Sequence, residues 1–182
     1  MRNTVPDTLY LTVGCAYESS VVFIGGKEDV VKRSVWSYQH VYNTWEQKSD
    51  FPVEQYGGFA VVYDRKIYAG MGKDNADVCN GSLWMSEDGG AGWNLITTCT
   101  KYHGGILSGV VSLANQCIYV IDEDYHILEY SLELDEWTEK SMLPSDLRGG
   151  IHCMYEYNGK IYIGFGGSGK NSLIVYDPSW DN

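Results

Sequence analysis

The chain has 182 residues and a mass of 20.4 kDa, and its 13 basic and 24 acidic residues give a formal net charge of −11. This charge argues against nucleic acid or an anionic membrane surface as a partner, because both bind a basic face. No apolar run approaches the length of a membrane-spanning helix, and residues 1–7 lack the charged start and apolar core of a signal peptide. These features favour a cytoplasmic protein that binds neither nucleic acid nor membrane.

The cysteines and histidines show no pattern of a metal site. The cysteines form no C-x-x-C pair, and most lie in apolar segments, where a thiol acts as a small hydrophobic group. The histidines form no i, i+4 pair and no H-E-x-x-H motif. The sequence therefore predicts neither a metal ion nor another cofactor. Reduced, buried cysteines are predicted at Cys15, Cys79, Cys99, Cys117 and Cys153.

An internal repeat organises the sequence. Tryptophans recur at intervals of 48, 44 and 43 residues, at Trp45, Trp93, Trp137 and Trp180. A second series lies seven residues before the first three tryptophans, at Tyr38, Ser86 and Tyr130. A shared period of this length indicates a repeat architecture. The predicted units are approximately 9–50, 57–100, 104–142 and 149–182.

Each unit is predicted to form four short strands. The composition agrees, since 21 glycines and 15 tyrosines with only four prolines favour short strands and tight turns. In the second unit, two apolar segments flank the turn Asp64-Arg65, and two further strand segments follow. The equivalent turn of the fourth unit is Asn158-Gly159, a pair that suits a type I′ hairpin. No segment shows a helical period over about ten residues, so the chain is predicted to be all-β.

Four-stranded units of this period are typical of a β-propeller, in which each twisted sheet packs on the next as a blade. The tryptophans at the start of the fourth strands, including Trp180, are predicted to wedge between adjacent blades. The last unit stops just after Trp180, so its outer strand is missing. Residues 1–5 are expected to supply that strand and close a four-bladed propeller. The alternatives are part of a larger propeller and a homodimer that completes the propeller.

Three segments share a longer pattern. A hydrophobic run ending in a double glycine is followed by a tyrosine, a tryptophan, and then a Leu-Pro before an Arg-Gly. Its parts occur in segments 21–52, 117–150 and 160–180. The pattern resembles the kelch repeat, and the resemblance covers most of the chain. The segment 117–150 departs from it, with Ile121-Asp122 where the double glycine is expected.

The segment 86–93 fits the pattern S-x-D-x-G-x-x-W through Ser86, Asp88, Gly90 and Trp93. It resembles the Asp-box turn of sialidases and other propellers. Asp88 is expected to accept hydrogen bonds from amides of its own turn, while Gly90 takes a positive φ. In families that carry this box it lies outside the blade, away from the active site, so a structural role is expected.

The loops between second and third strands and the loops between blades meet on one face of a propeller. We expect binding there, because this face combines both charges with aromatic side chains, as recognition surfaces do. The candidate binding residues are Arg33, Tyr56, Tyr102, His103, Asp122, Asp124, His126 and Arg148.

Several of these candidates have alternative roles. The run Asp122-Glu123-Asp124 is consistent with a cation site or with acid–base carboxylates, but a solvated acidic turn is favoured. For His103, a hydrogen bond to an interblade turn is favoured over a role as general base. Arg148 either caps its turn or binds a carboxylate in bidentate fashion, and the sequence does not distinguish the two roles.

The resemblance to kelch propellers implies a non-catalytic module that binds a protein segment or a glycan on this face. The alternative is an enzyme of sugar chemistry, since kelch-like and Asp-box propellers include sialidases, sialic-acid epimerases and copper-dependent galactose oxidases. A sialidase binds its substrate carboxylate with three arginines, whereas this chain has four in all, and Arg65 is predicted to lie on a hairpin of the opposite face. A structural assembly unit is the third hypothesis. The sequence favours binding without catalysis.

Overall fold

The structure, a computed structural model, describes residues 4, 9–145, 148, 153–164 and 173–181. Backbone contacts divide the chain into two compact units, unit 1 (Met1–Thr98) and unit 2 (Cys99–Asn182). Each unit contains two antiparallel sheets, in which consecutive strands are hydrogen-bonded neighbours. The strands of all four sheets lie inside the four repeat units marked out by the sequence.

Unit 1 holds blades 1 and 2. The strands of blade 1 are β1 (Val13–Tyr17), β2 (Ser20–Ile24), β3 (Val35–Gln39) and β4 (Thr44–Gln47). The strands of blade 2 are β5 (Phe59–Tyr63), β6 (Lys66–Gly70), β7 (Ser82–Ser86) and β8 (Asn94–Thr98). The first strands of the two blades, β1 and β5, contact each other, which makes them the inner strands of the pair.

Unit 2 holds blades 3 and 4. The strands of blade 3 are β9 (Ile106–Ser112), β10 (Cys117–Asp122), β11 (His126–Ser131) and β12 (Glu136–Met142). The described strands of blade 4 are β13 (Cys153–Tyr157), β14 (Lys160–Gly164) and β15 (Leu173–Tyr176), and a 3-10 helix follows (Pro178–Asp181). Residues 1–5 are expected to supply the outer strand of blade 4, and all of them except Thr4 lie outside the described residues. The prediction of an all-β chain with the β-propeller fold is confirmed.

Each unit has a core between its two blades. In unit 1, Val22 and Val35 of blade 1 pack with Ile67 of blade 2 and with Phe51 from the connecting loop, all fully buried. Trp93 packs against this core, with its ring centroid 4.8 Å from that of Phe51 in an edge-to-face arrangement. Trp93 therefore lies between blades 1 and 2, where an interblade wedge would lie.

Unit 2 repeats this arrangement. The core of blades 3 and 4 combines Tyr119 and Ile121 of β10 with Ile161 and Ile163 of β14, and these four residues are fully buried. Alternate residues of a strand point to opposite faces, so these positions mark the faces that the two blades turn toward each other. Burial of such side chains is the main stabilising contribution to a sheet pair of this size.

Cross-strand pairs explain the seven-residue spacing between tyrosine and tryptophan. Tyr38 lies opposite Trp45 on β3 and β4, and Tyr130 lies opposite Trp137 on β11 and β12. The ring centroids are 5.0 Å and 5.1 Å apart, and the rings are tilted by 45° and 41°. Each tyrosine hydroxyl also donates a hydrogen bond into the turn between its two strands, to Asn43 at 2.9 Å or Asp135 at 2.6 Å.

The wedge prediction for Trp180 is wrong. Trp180 opens no fourth strand but lies on the 3-10 helix, where 72% of its surface is exposed. The physical reason is local. Asp177 accepts hydrogen bonds from the amide of Ser179 at 3.1 Å and from its hydroxyl at 2.7 Å, which turns the chain at Pro178 and ends the extended backbone.

The predicted hairpin turns are present. Asp64 and Arg65 have φ angles of 46° and 59°, and Asn158 and Gly159 have φ angles of 52° and 76°. Two consecutive residues with positive φ define the type I′ turn, whose twist matches that of the flanking strands. Arg65 tolerates this conformation with its side chain in solvent, where it pairs with Glu18 at 2.6 Å.

Two glycines with the same backbone conformation offer a test of close packing. Gly25 and Gly57 have φ angles of 62° and 63°, but a methyl group at Gly25 would lie 2.3 Å from the carbonyl oxygen of Gln55, while one at Gly57 would meet nothing within 4 Å. We expect Gly57→Ala to lower the free energy of unfolding by about 1 kcal/mol and Gly25→Ala by about 2 kcal/mol. Urea denaturation measures both. Equal losses would mean that the Gln55 backbone moves aside without cost.

The five cysteines are free thiols. Cys79, Cys99 and Cys117 are buried as predicted, whereas Cys15 and Cys153 are only half-buried. Desolvation raises the pKa of Cys15 to about 12, so this thiol stays protonated and unreactive at neutral pH.

Within the described ranges, no helix has the length and apolar character needed to cross a membrane.

Candidate functional site

Strand direction sorts the loops to two ends of each blade. Because consecutive strands are antiparallel, the loop between the second and third strands and the loops between blades share one end, here called the loop end. The turns between first and second strands and between third and fourth strands share the other, the hairpin end. Of the predicted binding residues, Arg33 and Tyr56 lie at the loop end of unit 1. The others lie at the loop end of unit 2: Tyr102, His103, Asp122, Asp124, His126 and Arg148.

Asp122 is the centre of the unit 2 residues. It ends β10, and its side chain is fully buried. Its Oδ2 accepts a hydrogen bond from the amide of His103 at 2.9 Å, and its Oδ1 accepts from the amides of Asp124 at 3.1 Å and His126 at 2.9 Å. The favoured interpretation of a solvated acidic turn is therefore wrong for Asp122, because its carboxylate holds two loops together. Its neighbours Glu123 and Asp124 are exposed, as that interpretation requires.

Two imidazole rings lie beside this carboxylate. The centroids of His103 and His126 are 4.6 Å apart, with the rings tilted by 42°. Nδ1 of His126 lies 3.4 Å from Oδ1 of Asp122, and the His126 side chain is 13% exposed. The ring of His103 is exposed, and its hydrogen bond to the loop comes from the main chain. The hydrogen bond expected between His103 and an interblade turn stays a prediction, because the observed bond to Asp122 comes from the main chain and leaves the ring available to a ligand.

Arg148 joins the same region through blade 3. Its Nε donates to the carbonyl oxygen of Leu143 at 2.9 Å, and its Nη2 lies 2.6 Å from the sulfur of Met142. Met142 is paired with His126 across β11 and β12. Of the two roles open from the sequence, the Nε bond fits the capping role. We name the residues His103, Asp122, His126 and Arg148 the Asp122 cluster.

Sequence reasoning missed Met142, which contacts Arg148 and is paired with His126 across β11 and β12. A methionine at a strand end carries no sequence signal for such a role. Tyr102 and Asp124 flank the cluster along the chain, Tyr102 half-buried and Asp124 exposed. The structure thus joins three of the eight predicted residues by direct contacts, His103, Asp122 and His126, at one end of blade 3. Arg148 is connected to them through Met142.

Unit 1 carries a separate polar group around Tyr56. The Tyr56 hydroxyl donates a short hydrogen bond to Asp77, and Lys27 places its ammonium 4.8 Å from the centroid of the Tyr56 ring and 3.6 Å from Asp77 Oδ1. The Tyr56 hydroxyl and the Lys27 charge lower the pKa of Asp77. Arg33 is exposed, and its Nε donates to the carbonyl oxygen of Phe51 at 2.8 Å. No sequence pattern singles out Lys27 as a partner of Tyr56.

The turn from Ser86 to Trp93 is closed by its own side chains. Asp88 Oδ1 accepts hydrogen bonds from the hydroxyl of Ser86 and the amide of Gly92, both at 2.8 Å, and Ser86 accepts from the amide of Gly90 at 2.9 Å. Gly90 has a φ of 93°. Desolvation raises the pKa of Asp88, but these donors outweigh it and hold the pKa below its ordinary value. The Asp88 carboxylate therefore accepts its hydrogen bonds from groups of its own turn.

The described residues contain no group of three or more His, Cys, Asp or Glu side chains that could hold a metal ion. In the Asp122 cluster, the carboxylate oxygens already accept three main-chain hydrogen bonds and are turned toward the loops. The cluster can therefore offer imidazole and guanidinium groups to a ligand, but not a free carboxylate.

The fold defines the chain as a β-propeller protein, and comparison with solved structures agrees. One similar structure is titled "Structure of YjhT", with a TM-score of 0.69 and 14% sequence identity. The match covers 86% of this chain and 58% of that one, so the chain spans less than two thirds of that structure's length. At this identity the likeness shows the fold alone. No family model and no curated protein matches the chain.

Proposed function

We propose that the chain is a non-catalytic binding module of the kelch type, which presents the loop end of its blades to a protein segment or a glycan. The observation that carries the proposal is the state of Asp122, whose buried carboxylate accepts three main-chain hydrogen bonds. A carboxylate used in this way fixes two loops and does not act as an acid, base or ligand group. The exposed ring of His103 is then a contact on a rigid support, which lowers the entropy cost of binding.

The kelch and Asp-box assignments belong to this proposal. The cross-strand pairs of Tyr38 with Trp45 and of Tyr130 with Trp137 support the first, because they give the repeat pattern a physical reason. The hydrogen bonds of Asp88 within its own turn support the second. Both features stabilise blades, so they favour a scaffold whose ligand contacts lie in its loops.

A glycan array and a peptide display library, each probed with the purified chain, test the proposal. We expect binding in one of them, and we expect His103→Ala to weaken it at least about tenfold, because the ring faces solvent beside His126. The melting temperature should not change. His40→Ala is the matched control, since His40 is an exposed histidine at the hairpin end of blade 1. Absence of binding in both libraries, or equal effects of the two variants, would contradict the proposal.

A sugar-processing enzyme is the second candidate, and one distance favours it. Nδ1 of His126 lies 3.4 Å from a buried carboxylate, the arrangement that orients a general base. Incubation with sialosides and neutral glycosides, followed by NMR, distinguishes the candidates. Hydrolysis or epimerisation that is lost in His126→Ala would replace the binding module with an enzyme. Unchanged substrates would leave the binding module as the function.

A further inference from the structure

A polar cleft lies in unit 2 at the hairpin end of blades 3 and 4, away from the Asp122 cluster. Its volume is about 300 Å³, and its walls include Asn115, Tyr119, Glu129, Asp177 and Ser179. This is the lower end of the size range of small-molecule sites. Asn115 lies in the turn that precedes β10, whereas Asp122 ends that strand, so the length of β10 separates the cleft from the loop end.

Glu129 provides the first fixed polar group. Its Oε2 accepts a hydrogen bond from the hydroxyl of the fully buried Tyr119 at 2.6 Å, and its Oε1 lies 3.3 Å from the ammonium of Lys140. The Glu129 side chain is only 16% exposed, and it lines the cleft. A carboxylate can accept about four hydrogen bonds, and these two contacts leave acceptor positions for a ligand.

Asp177 provides the second fixed group. Its Oδ1 accepts hydrogen bonds from Ser179, and its Oδ2 lies 3.1 Å from the ammonium of Lys160. The Ser179 hydroxyl and Lys160 lower the pKa of Asp177, which keeps it ionised. Each carboxylate of the cleft is therefore matched by one lysine. An anionic ligand would meet two carboxylates and a cationic ligand two ammonium groups, so these walls suit an uncharged ligand with several hydroxyl donors.

Trp180 adds an apolar surface beside these groups. It follows Pro178 and Ser179, which line the cleft, on the same 3-10 helix. The Lys160 ammonium that contacts Asp177 lies over one face of its indole, 6.0 Å from the ring centroid, so the other face is the one that a ligand would contact. The support is rigid, because Asp181 accepts hydrogen bonds from the amide and hydroxyl of Ser141 at 3.0 Å and 2.5 Å. A large aromatic side chain held exposed on a fixed backbone is typical of a binding surface.

From the paired carboxylates and the exposed indole beside them, we propose that this cleft binds a neutral sugar unit. Neighbouring sugar hydroxyls donate to Glu129 and Asp177, and the C–H face of the ring lies against Trp180. This combination separates a sugar from other small ligands, because it requires polar donors on the edge of the ligand and an apolar face. The site is distinct from the loop end, so the proposal does not depend on the function proposed above.

NMR titration of the full chain with glucose, galactose, mannose and N-acetylglucosamine tests this inference. We expect millimolar binding of at least one sugar, with shifts around Asn115 and Ser179. Trp180→Ala should weaken it at least about tenfold without unfolding the chain, since the side chain is exposed. Glu129→Gln should also weaken it, because the amide replaces one acceptor with a donor. Tyr42→Ala, another exposed aromatic residue but in unit 1, is the control and should change nothing.

Three results would overturn the inference. They are the absence of shifts with all four sugars, unchanged binding in Trp180→Ala, and equal or tighter binding of the charged sugars N-acetylneuraminic acid and glucosamine. His103→Ala separates this inference from the function proposed for the loop end. Loss of sugar binding in His103→Ala but not in Trp180→Ala would place the sugar in the Asp122 cluster and leave the cleft without a ligand.

Discussion

Replacement of Trp137 by alanine should lower the free energy of unfolding by ~3–5 kcal/mol, the cost of deleting a buried tryptophan. Trp137 is 8% exposed, and its ring packs on Tyr130 across β11 and β12. The substitution removes this contact and leaves a cavity that the sheet cannot fill, because Tyr130 is held by its hydrogen bond to Asp135. Denaturation in guanidinium chloride, followed by circular dichroism, measures the loss.

Trp180→Ala is the matched control for this experiment, because it deletes the same side chain from a site that is 72% exposed. We expect it to change the free energy of unfolding by less than about 0.5 kcal/mol. If both variants lose the same free energy of unfolding, the burial of Trp137 is not the cause of its stabilising effect. A loss below about 1 kcal/mol for Trp137→Ala would contradict its structural role in blade 3.

The second large effect is expected at Asp122. Asp122→Ala removes the acceptor of three main-chain amides, those of His103, Asp124 and His126. Each hydrogen bond to a charged acceptor stabilises a protein by about 1.5–3 kcal/mol, but water can reach part of the opened loops. We therefore expect a loss of ~3–4 kcal/mol in the free energy of unfolding, with a smaller loss for Asp122→Asn, which keeps one oxygen acceptor.

Asp124→Ala is the control for this second effect. Asp124 lies two residues from Asp122 and is exposed. Its replacement removes the same negative charge as Asp122→Ala. It leaves the loop hydrogen bonds in place, because Asp124 takes part in them only through its main-chain amide. We expect less than about 0.5 kcal/mol for this variant. Similar losses for Asp122→Ala and Asp124→Ala would show that net charge, rather than hydrogen bonding, determines the effect.

Local patterns in the sequence were sufficient to predict most of the fold. Alternating and apolar runs predicted the strands, and the turns Asp64-Arg65 and Asn158-Gly159 predicted the hairpins that the structure contains. The prediction for Trp180 is wrong because it follows from the period of the tryptophans and not from the residues that precede Trp180. The sequence Asp-Pro-Ser favours a turn, and its side-chain hydrogen bonds outweigh the preference for a strand.

The loop end was harder to predict, because its contacts join residues that are distant in the sequence. Asp122 looks like the first member of a solvated acidic run, and only the approach of the loop that contains His103 buries it. The contact of Arg148 with Met142 depends on the pairing of β11 with β12, whose register shifts between His126 and Leu128. A β-bulge of this kind has no reliable signal in a single sequence.

The tyrosine–tryptophan pairs have a consequence for how such a chain arises. Tyr38 and Tyr130 each stabilise the hairpin of the third and fourth strands through a hydrogen bond to the turn and a contact with a tryptophan. All of these groups lie within fewer than ten consecutive residues, so the hairpin is closed without a neighbouring blade. A stretch of DNA that encodes one blade therefore encodes all the residues that close the outer hairpin of that blade. Tandem duplication of that stretch adds a blade whose outer hairpin is already closed, while its core forms against the neighbouring blade. Later divergence, as at Ser86, remains possible because each copy keeps its own outer closure.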